Sequence, residues 1–597
     1  MSLSPLVVFI IIIFSVVAIL GIRAGGKEEK VALKEIRLYF GHVGKRKAYL
    51  AKSKAVRAVY EMLGNEDDID DITWEDLKLD EIYTLLNHSE SCAGEQYLYY
   101  RLRHVACREG EYISPGVWLD EKEKAYAFLL AARRLGHLKN QTLKEFLDTM
   151  SEHPGVNTLW YILLDLFMVA SFIYMIFVPS YGVVMFLGSV FISVIHGSLA
   201  HRDLSPYLSG MAFVRRLSDA TRISLGILPK AYNKIRTDLE KYLSGFNAFY
   251  RVSSVLGAGD GSMSFGAVEV LMSYVRMLTG IDVFAFSASA RELNKIKDDV
   301  MDAFLLFGKI ESDVSAASFR LWLGEKGCVP EFEEGAPLQI KNLFHPLLEN
   351  PVSNDITTDG CVLLTGANAS GKSTFLRALA LATILGQTMG TVPAGSYKAQ
   401  RFRVMSSMTV SDDLLKGDSY YVAEVKAVKR ILDAAGKEGS RAAGGESVNA
   451  DSGSRAAGGE SVTADSGSRA ASTKEKYRLM CFLDEVLRGT NTPERISAGT
   501  SILRYLSDRG VLCFAATHDL EMTQLLSGVY EDYYFSELAG EDSFTFEYKI
   551  RPGVSRERNA IRLLSIMGFD TEVTDRAGQM AEHFIETGKW EKEVPAG

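Results

Sequence analysis

The sequence predicts an α/β domain in its C-terminal part, a mainly α-helical region before it, and three apolar helices long enough to cross a membrane. Three observations carry this. Residues 336–597 alternate short apolar strands with helical stretches, as in a mostly parallel sheet covered by helices. Stretches before residue 336 place charged and apolar faces at helical spacing, most clearly around 80–150 and in ELNKIKDDVMDAFLLFGKI at 292–310. Three runs carry almost no charge over lengths close to the 20 or so residues that a bilayer requires.

At 597 residues the chain is too long for one ordinary domain. Hydrophobic residues make up 47% and charged residues 24%, a balance that favours packed cores over disorder. The net charge of −9 excludes a global attraction to nucleic acid and leaves only a local basic face. Six scattered cysteines without a CxxC pair read as reduced, mostly buried thiols, not as a zinc site or a disulfide framework.

The first apolar run covers residues 1–24 and has no charged side chain before Arg23. A cleaved signal peptide would want a basic start and a small-residue cleavage site, so an uncleaved anchor is expected. The other two runs form a pair over 159–200: LWYILLDLFMVASFIYMIFV at 159–178 and GVVMFLGSVFISVIHGSLA at 182–200, with a turn at Pro179-Ser180-Tyr181 between them. They read as a hairpin through the bilayer, with a buried core pair as the rival reading. Asp165 is the acid within it, expected near an interface or against another helix. Basic residues follow the first run (Arg23, Lys27, Lys30, Lys34, Arg37) and the third (Arg202, Arg215, Arg216). That asymmetry predicts a multi-pass protein of the cell membrane with its large domains in the cytoplasm.

The chemistry is concentrated after residue 360. Residues 361–374 read CVLLTGANASGKST, an apolar strand, then GxxxxGK[ST], then a helix. Glycines at these positions let backbone N–H groups turn toward phosphate oxygens, and the helix N-terminus favours the same charge. Gly366, Asn368, Gly371, Lys372, Ser373 and Thr374 are therefore the candidate residues for ATP. Lys372 is expected at the β/γ-phosphates and Ser373 on Mg2+. A second apolar strand ends at Asp484-Glu485. Asp484 is the candidate second Mg2+ ligand and Glu485 the candidate general base toward water. A third strand, VLCFAAT, ends at His518, placed to sense the γ-phosphate. The reading is an α/β P-loop NTPase domain that hydrolyses ATP.

Four blocks resemble, in order, the ATPase region of the MutS family: TGANASGKST (365–374), DDLLKGDSYYVAEV (412–425), FLDEVLRGTNTPE (482–494) and FAATHDLEMTQLL (514–526). His345-Pro346 resembles the family's lead-in to that domain, and Tyr548 to Gly568 resembles its C-terminal dimerising segment. The resemblance covers about 340–580. It implies a homodimer with composite sites in which Ser419 reaches the partner's nucleotide. Thr73-Trp74-Glu75-Asp76-Leu77 and 285–323 are similar to parts of the family's helical lever domain. Where members carry a DNA-clasping clamp this chain has the apolar hairpin, and no mismatch-reading domain with its Phe-x-Glu wedge is found. Mismatch recognition is not carried over.

Residues 439–472 hold a tandem repeat, GSRAAGGESVNADS then GSRAAGGESVTADS, too poor in apolar residues to build a core. The expected organisation is an anchor (1–24), a helical segment (25–158), the hairpin (159–200), a second helical lever or core segment (201–335) and the ATPase domain (336–597) with the repeat as an insertion. Two function classes stay open: a membrane-anchored ATPase that engages DNA without mismatch specificity, and a mechanochemical ATPase acting on membrane or partner proteins without DNA. A transporter subunit is disfavoured, because three spans are few for a pathway and no LSGGQ-type signature precedes the strand that ends at Asp484-Glu485.

Overall fold

The computed structural model describes residues 27–42, 54–105, 112–138, 140–152, 158–254, 256, 281–367, 370–408, 420–443, 477–539, 544–554 and 560–590. The anchor expected over 1–24 lies outside these. So does the repeat from 444 onward, while 439–443 complete the helix Tyr420–Ala443. The chain divides into two compact units, one from 1–64, 83–102 and 112–322, the other from 65–82, 103–111 and 323–597.

The described part of the first unit is helical. Its spine is the helix Lys297–Leu323, which buries Val300, Ala303, Phe304, Phe307, Ile310, Val314 and Ala317. That three-to-four spacing presents one apolar stripe to the surrounding helices. Packing is close enough to require small residues: a Cβ on Gly308 would meet the Ala93 carbonyl oxygen at 2.4 Å. One group of buried polar side chains is linked by hydrogen bonds. Arg101 Nη1 donates to Asp313 Oδ1 at 2.7 Å, the Tyr232 hydroxyl to Asp313 Oδ2 at 2.9 Å, and Trp118 Nε1 to the Tyr232 hydroxyl at 2.6 Å. Glu311, on the same spine, accepts from the Glu90 and Ser91 amides and the Ser91 hydroxyl. Burial pushes its carboxyl up to about 7 even though those donors pull the other way.

Two described helices are long and apolar enough to cross a membrane, Thr158–Phe177 and the stretch Pro179–Leu204. Three were expected, and the first candidate is outside the described residues. The turn is tighter than expected, since the second helix already starts at Pro179, a residue suited to a first turn. It does not stop near residue 200 either, but runs unbroken through Arg202 and Pro206 to Leu225, 47 residues in all. The pair packs through small residues: the Ser171 and Ser189 hydroxyls meet at 3.0 Å, and a Cβ on Gly182 would sit 2.2 Å from Met175 Cα. Only 6% of the first apolar window and 22% of the second is buried. A core helix would be covered, so this surface is not part of the unit's own core.

The second unit is built on a six-stranded sheet. Its strands are β4 (Cys361–Thr365), β6 (Phe402–Ser407), β7 (Arg478–Asp484), β8 (Leu512–Ala516), β9 (Tyr530–Ala539) and β10 (Phe544–Pro552), in the order β10-β9-β4-β8-β7-β6. All neighbours are parallel except β9 and β10. β4 and β8 are buried along their whole length, as expected of strands covered on both faces. A smaller sheet contains β1 (Glu331–Phe332), β2 (Leu338–Leu343), β3 (Asn354–Thr358) and β5 (Ser396–Ala399), ordered β1-β5-β2-β3. The helix Asp71–Asp76 belongs to this unit and anchors β6. The Ser406 hydroxyl and the Met408 amide both donate to Asp76 Oδ2, at 2.7 and 2.9 Å.

Candidate functional site

Ligands of open parallel sheets bind beyond the strand C-terminal ends. Here β8 lies between β4 and β7, so three chain segments leave the sheet side by side: the loop after Thr365, Asp484-Glu485, and Thr517-His518. The Thr517 amide donates to the Leu364 carbonyl at 3.0 Å, and the Glu485 amide to the Ala516 carbonyl at 2.9 Å. These two bonds tie the three segments together at their exits.

The loop after β4 turns on two glycines. Gly366 has φ +139° and Gly371 φ +106°, conformations that side chains resist. Gly371 caps the helix Lys372–Met389, which is buried on nearly every side and therefore fixed in the core. Lys372 is buried, and its Nζ donates to the Gly366 and Ala367 carbonyls at 2.6 and 2.9 Å. The Ser373 hydroxyl donates to Asp484 Oδ2 at 2.5 Å. The other oxygen, Asp484 Oδ1, is buried without a hydrogen-bond partner. A buried carboxylate oxygen left over beside a hydroxyl suits a hard cation, which takes oxygen ligands.

Glu485 follows with φ +56°, and Leu487 has φ +61°. Such positions cost about 1–3 kcal/mol each and persist where the surroundings fix them. The Glu485 carboxylate is in contact with His518 Nε2 and Arg488 Nε. Burial alone would raise its pKa; the hydrogen bond and charge of His518, with Arg488 and Lys372 behind them, outweigh burial and hold it below the usual carboxylate range. Arg495 forks onto Asp519 at 2.8 and 2.6 Å, which fixes the residue after His518.

Some of these groups, Lys372, Ser373, Glu485 and Arg488 among them, border a cavity of about 530 Å³, within the usual range for small-molecule sites. Gly371, Lys372, Ser373, Thr374 and Glu485 line one side. Phe344, Leu348, Val352, Phe535 and Tyr548 supply apolar and aromatic walls that the motifs did not reveal. His345 also lines it; burial, with Arg377 and Lys78 adding to it, pushes that imidazole down to about 4, so it is neutral at physiological pH. Asn368 and Ser419 lie outside the described residues. Sequence reasoning also missed Glu424, whose carboxylate accepts from the Leu487 and Arg488 amides.

A family model of MutS domain V matches residues 362–440 and 471–585, passing over most of the repeat. The chain is similar to proteins named DNA mismatch repair protein MutS. That of Natronomonas pharaonis is 27% identical over 247 residues, 40% of this chain and 24% of that protein. That of Thermotoga petrophila is 29% identical over 263 residues, covering 42% and 28%. That of Aquifex pyrophilus is 26% identical over 340 residues, covering 55% and 34%. The matches thus span about a quarter to a third of these relatives. The match runs through both the acidic and the glycine-rich strand ends described above, so the C-terminal part of this chain is similar to MutS domain V.

Proposed function

We propose that this chain is a membrane-anchored ATPase that hydrolyses ATP at composite sites in a homodimer and engages DNA without mismatch specificity. One observation carries the hydrolysis reading: the Ser373 hydroxyl and Asp484 meet beside Lys372 and Glu485, with an Asp484 oxygen left unpartnered. Ser373 and Asp484 would hold Mg2+, which when bound neutralises charge on phosphate oxygens. Lys372 and the Gly366–Gly371 backbone bind the phosphates. The apolar wall formed by Phe344, Leu348, Val352 and Tyr548 suits a base. Glu485, kept ionised, takes a proton from the attacking water as the bond from the γ-phosphorus to the ADP oxygen breaks. His518 orients that carboxylate.

The membrane reading rests on the exposed apolar faces of Thr158–Phe177 and Pro179–Leu204. The same faces, with the net charge of −9, favour the second reading, a mechanochemical ATPase that moves membrane or partner proteins without DNA. The relatives are named for mismatch repair, which favours the first. Binding of the full chain to duplex DNA, titrated against salt, separates the two, since phosphate contacts weaken steeply as salt rises. The composite site is tested by mixing chains. Ser419→Ala and Glu485→Gln chains, each inactive alone, should regain turnover when mixed, because one site of the mixed dimer is intact. A monomer that hydrolyses ATP as fast as the dimer would show the composite site to be wrong.

A further inference from the structure

We propose that Glu424 is a positioning residue that holds the turn 485–489 in the shape that aims Glu485 at the reaction. The inference rests on the hydrolysis reading above and adds a residue to it. Glu424 belongs to the helix Tyr420–Ala443, not to the strand ends where the site is built. It is buried, and its Oε1 accepts from the Leu487 amide at 2.5 Å and the Arg488 amide at 3.2 Å.

Those amides are the problem that the turn creates. Glu485 and Leu487 both take positive φ without being glycine, so the backbone after β7 folds sharply and its N–H groups point inward instead of into a helix or strand. A buried amide without an acceptor is costly, and one carboxylate oxygen satisfies two of them. The helix backs the turn sterically as well: a Cβ on Gly489 would stand 3.4 Å from Tyr421 Cβ, one turn earlier on the same helix. The helix is itself anchored, since Arg430 donates to the Ser406 carbonyl at the end of β6 and pairs with Asp70. Glu424 therefore transmits a fixed backbone position to Glu485 without touching the cavity, whose lining does not include it.

The test uses the full chain with Glu424→Ala and Glu424→Gln. Glutamine keeps an acceptor oxygen for the two amides; alanine does not. Glu424→Ala should lower kcat at least tenfold, with the Kd for a fluorescent ATP analogue and the KM within threefold of wild type. Glu424→Gln should restore kcat to within threefold. Hydrogen exchange at the Leu487 and Arg488 amides gives a readout independent of turnover: it should quicken at least tenfold in Glu424→Ala and not in Glu424→Gln. Unchanged exchange in Glu424→Ala, or kcat within threefold of wild type, overturns the proposal. So does a parallel loss of nucleotide affinity, which would mark general unfolding of the site. A wild-type chain without turnover that still shows the exchange difference would sink the hydrolysis reading and leave the brace standing.

Discussion

Replacing Ser373 by alanine removes the hydroxyl that donates to Asp484 Oδ2 at 2.5 Å. Asp484 is 8% exposed and its Oδ1 has no hydrogen-bond partner, so the substitution strips the side chain of that bond and leaves both oxygens dependent on little else. A hydrogen bond to a charged group contributes about 1.5–3 kcal/mol. For a unit of this size each kcal/mol moves the melting temperature by about 2 °C, so Ser373→Ala should melt about 3–6 °C below wild type without ligand. A second effect appears with nucleotide. Wild type should gain about 2.7 kcal/mol from Mg2+-nucleotide at a hundred times its Kd, and Ser373→Ala much less at the same concentration. Asp484→Asn supplies the control: its amide oxygen still accepts but the charge is gone, so in that background the cost of Ser373→Ala should fall to that of a neutral hydrogen bond, about 0.5–1.5 kcal/mol. Thermal melts of the four chains, with and without Mg2+-nucleotide, read all three quantities. If Ser373→Ala melts like wild type with an undiminished ligand shift, or costs as much in Asp484→Asn as alone, the two residues do not form one metal site.

The remaining predictions concern the membrane, pH and DNA. Sodium carbonate extraction should leave the chain in the membrane pellet, because the exposed apolar faces of Thr158–Phe177 and Pro179–Leu204 have no cover within their own unit; release into the supernatant would refute this. Glu311 has a folded pKa raised to about 7 from 4.5, so its contribution to stability is complete below pH 4.5 and is lost as pH rises through 7. Glu311→Gln should flatten that part of the stability curve by about 3 kcal/mol at most; an identical pH profile for both chains would show that Glu311 titrates normally. A perfect duplex and one with a single G·T mismatch should compete equally for the full chain at fixed salt. A tenfold preference for the mismatch, about 1.4 kcal/mol, would restore a mismatch-reading role.

What could be read from the sequence was local. The loop Gly366–Gly371, the strand ending at Asp484-Glu485 and the strand ending before His518 each declare themselves within about ten residues, and the parallel order of β4, β8 and β7 brings their ends together. Contacts across long stretches of chain were not legible. Nothing near Asp76 announces that its carboxylate accepts from Ser406 and Met408, more than 300 residues later, so 65–82 read as part of the helical region instead of the second unit. Glu424 lies inside the block 412–425 but has no role legible there, because its value lies in amides that become available only once Leu487 adopts positive φ. The long helix was missed for a different reason. Arg202, Asp203 and Pro206 look like an ending, yet apolar residues such as Met211, Phe213, Val214 and Leu217 continue into the core of the first unit and carry the helix past them.

Glu485, held below the usual carboxylate range beside His518 and Arg488, is proposed as the base at a Mg2+-nucleotide site. Phosphate release by the purified full chain, with Glu485→Gln measured alongside, tests it most directly. Wild type should hydrolyse ATP only when Mg2+ is present. Glu485→Gln should bind a fluorescent ATP analogue within threefold of wild type while its turnover falls about 10²–10⁴-fold, the usual contribution of a positioned base. Wild-type turnover no higher than background, or Glu485→Gln turnover within threefold of wild type, would contradict the account.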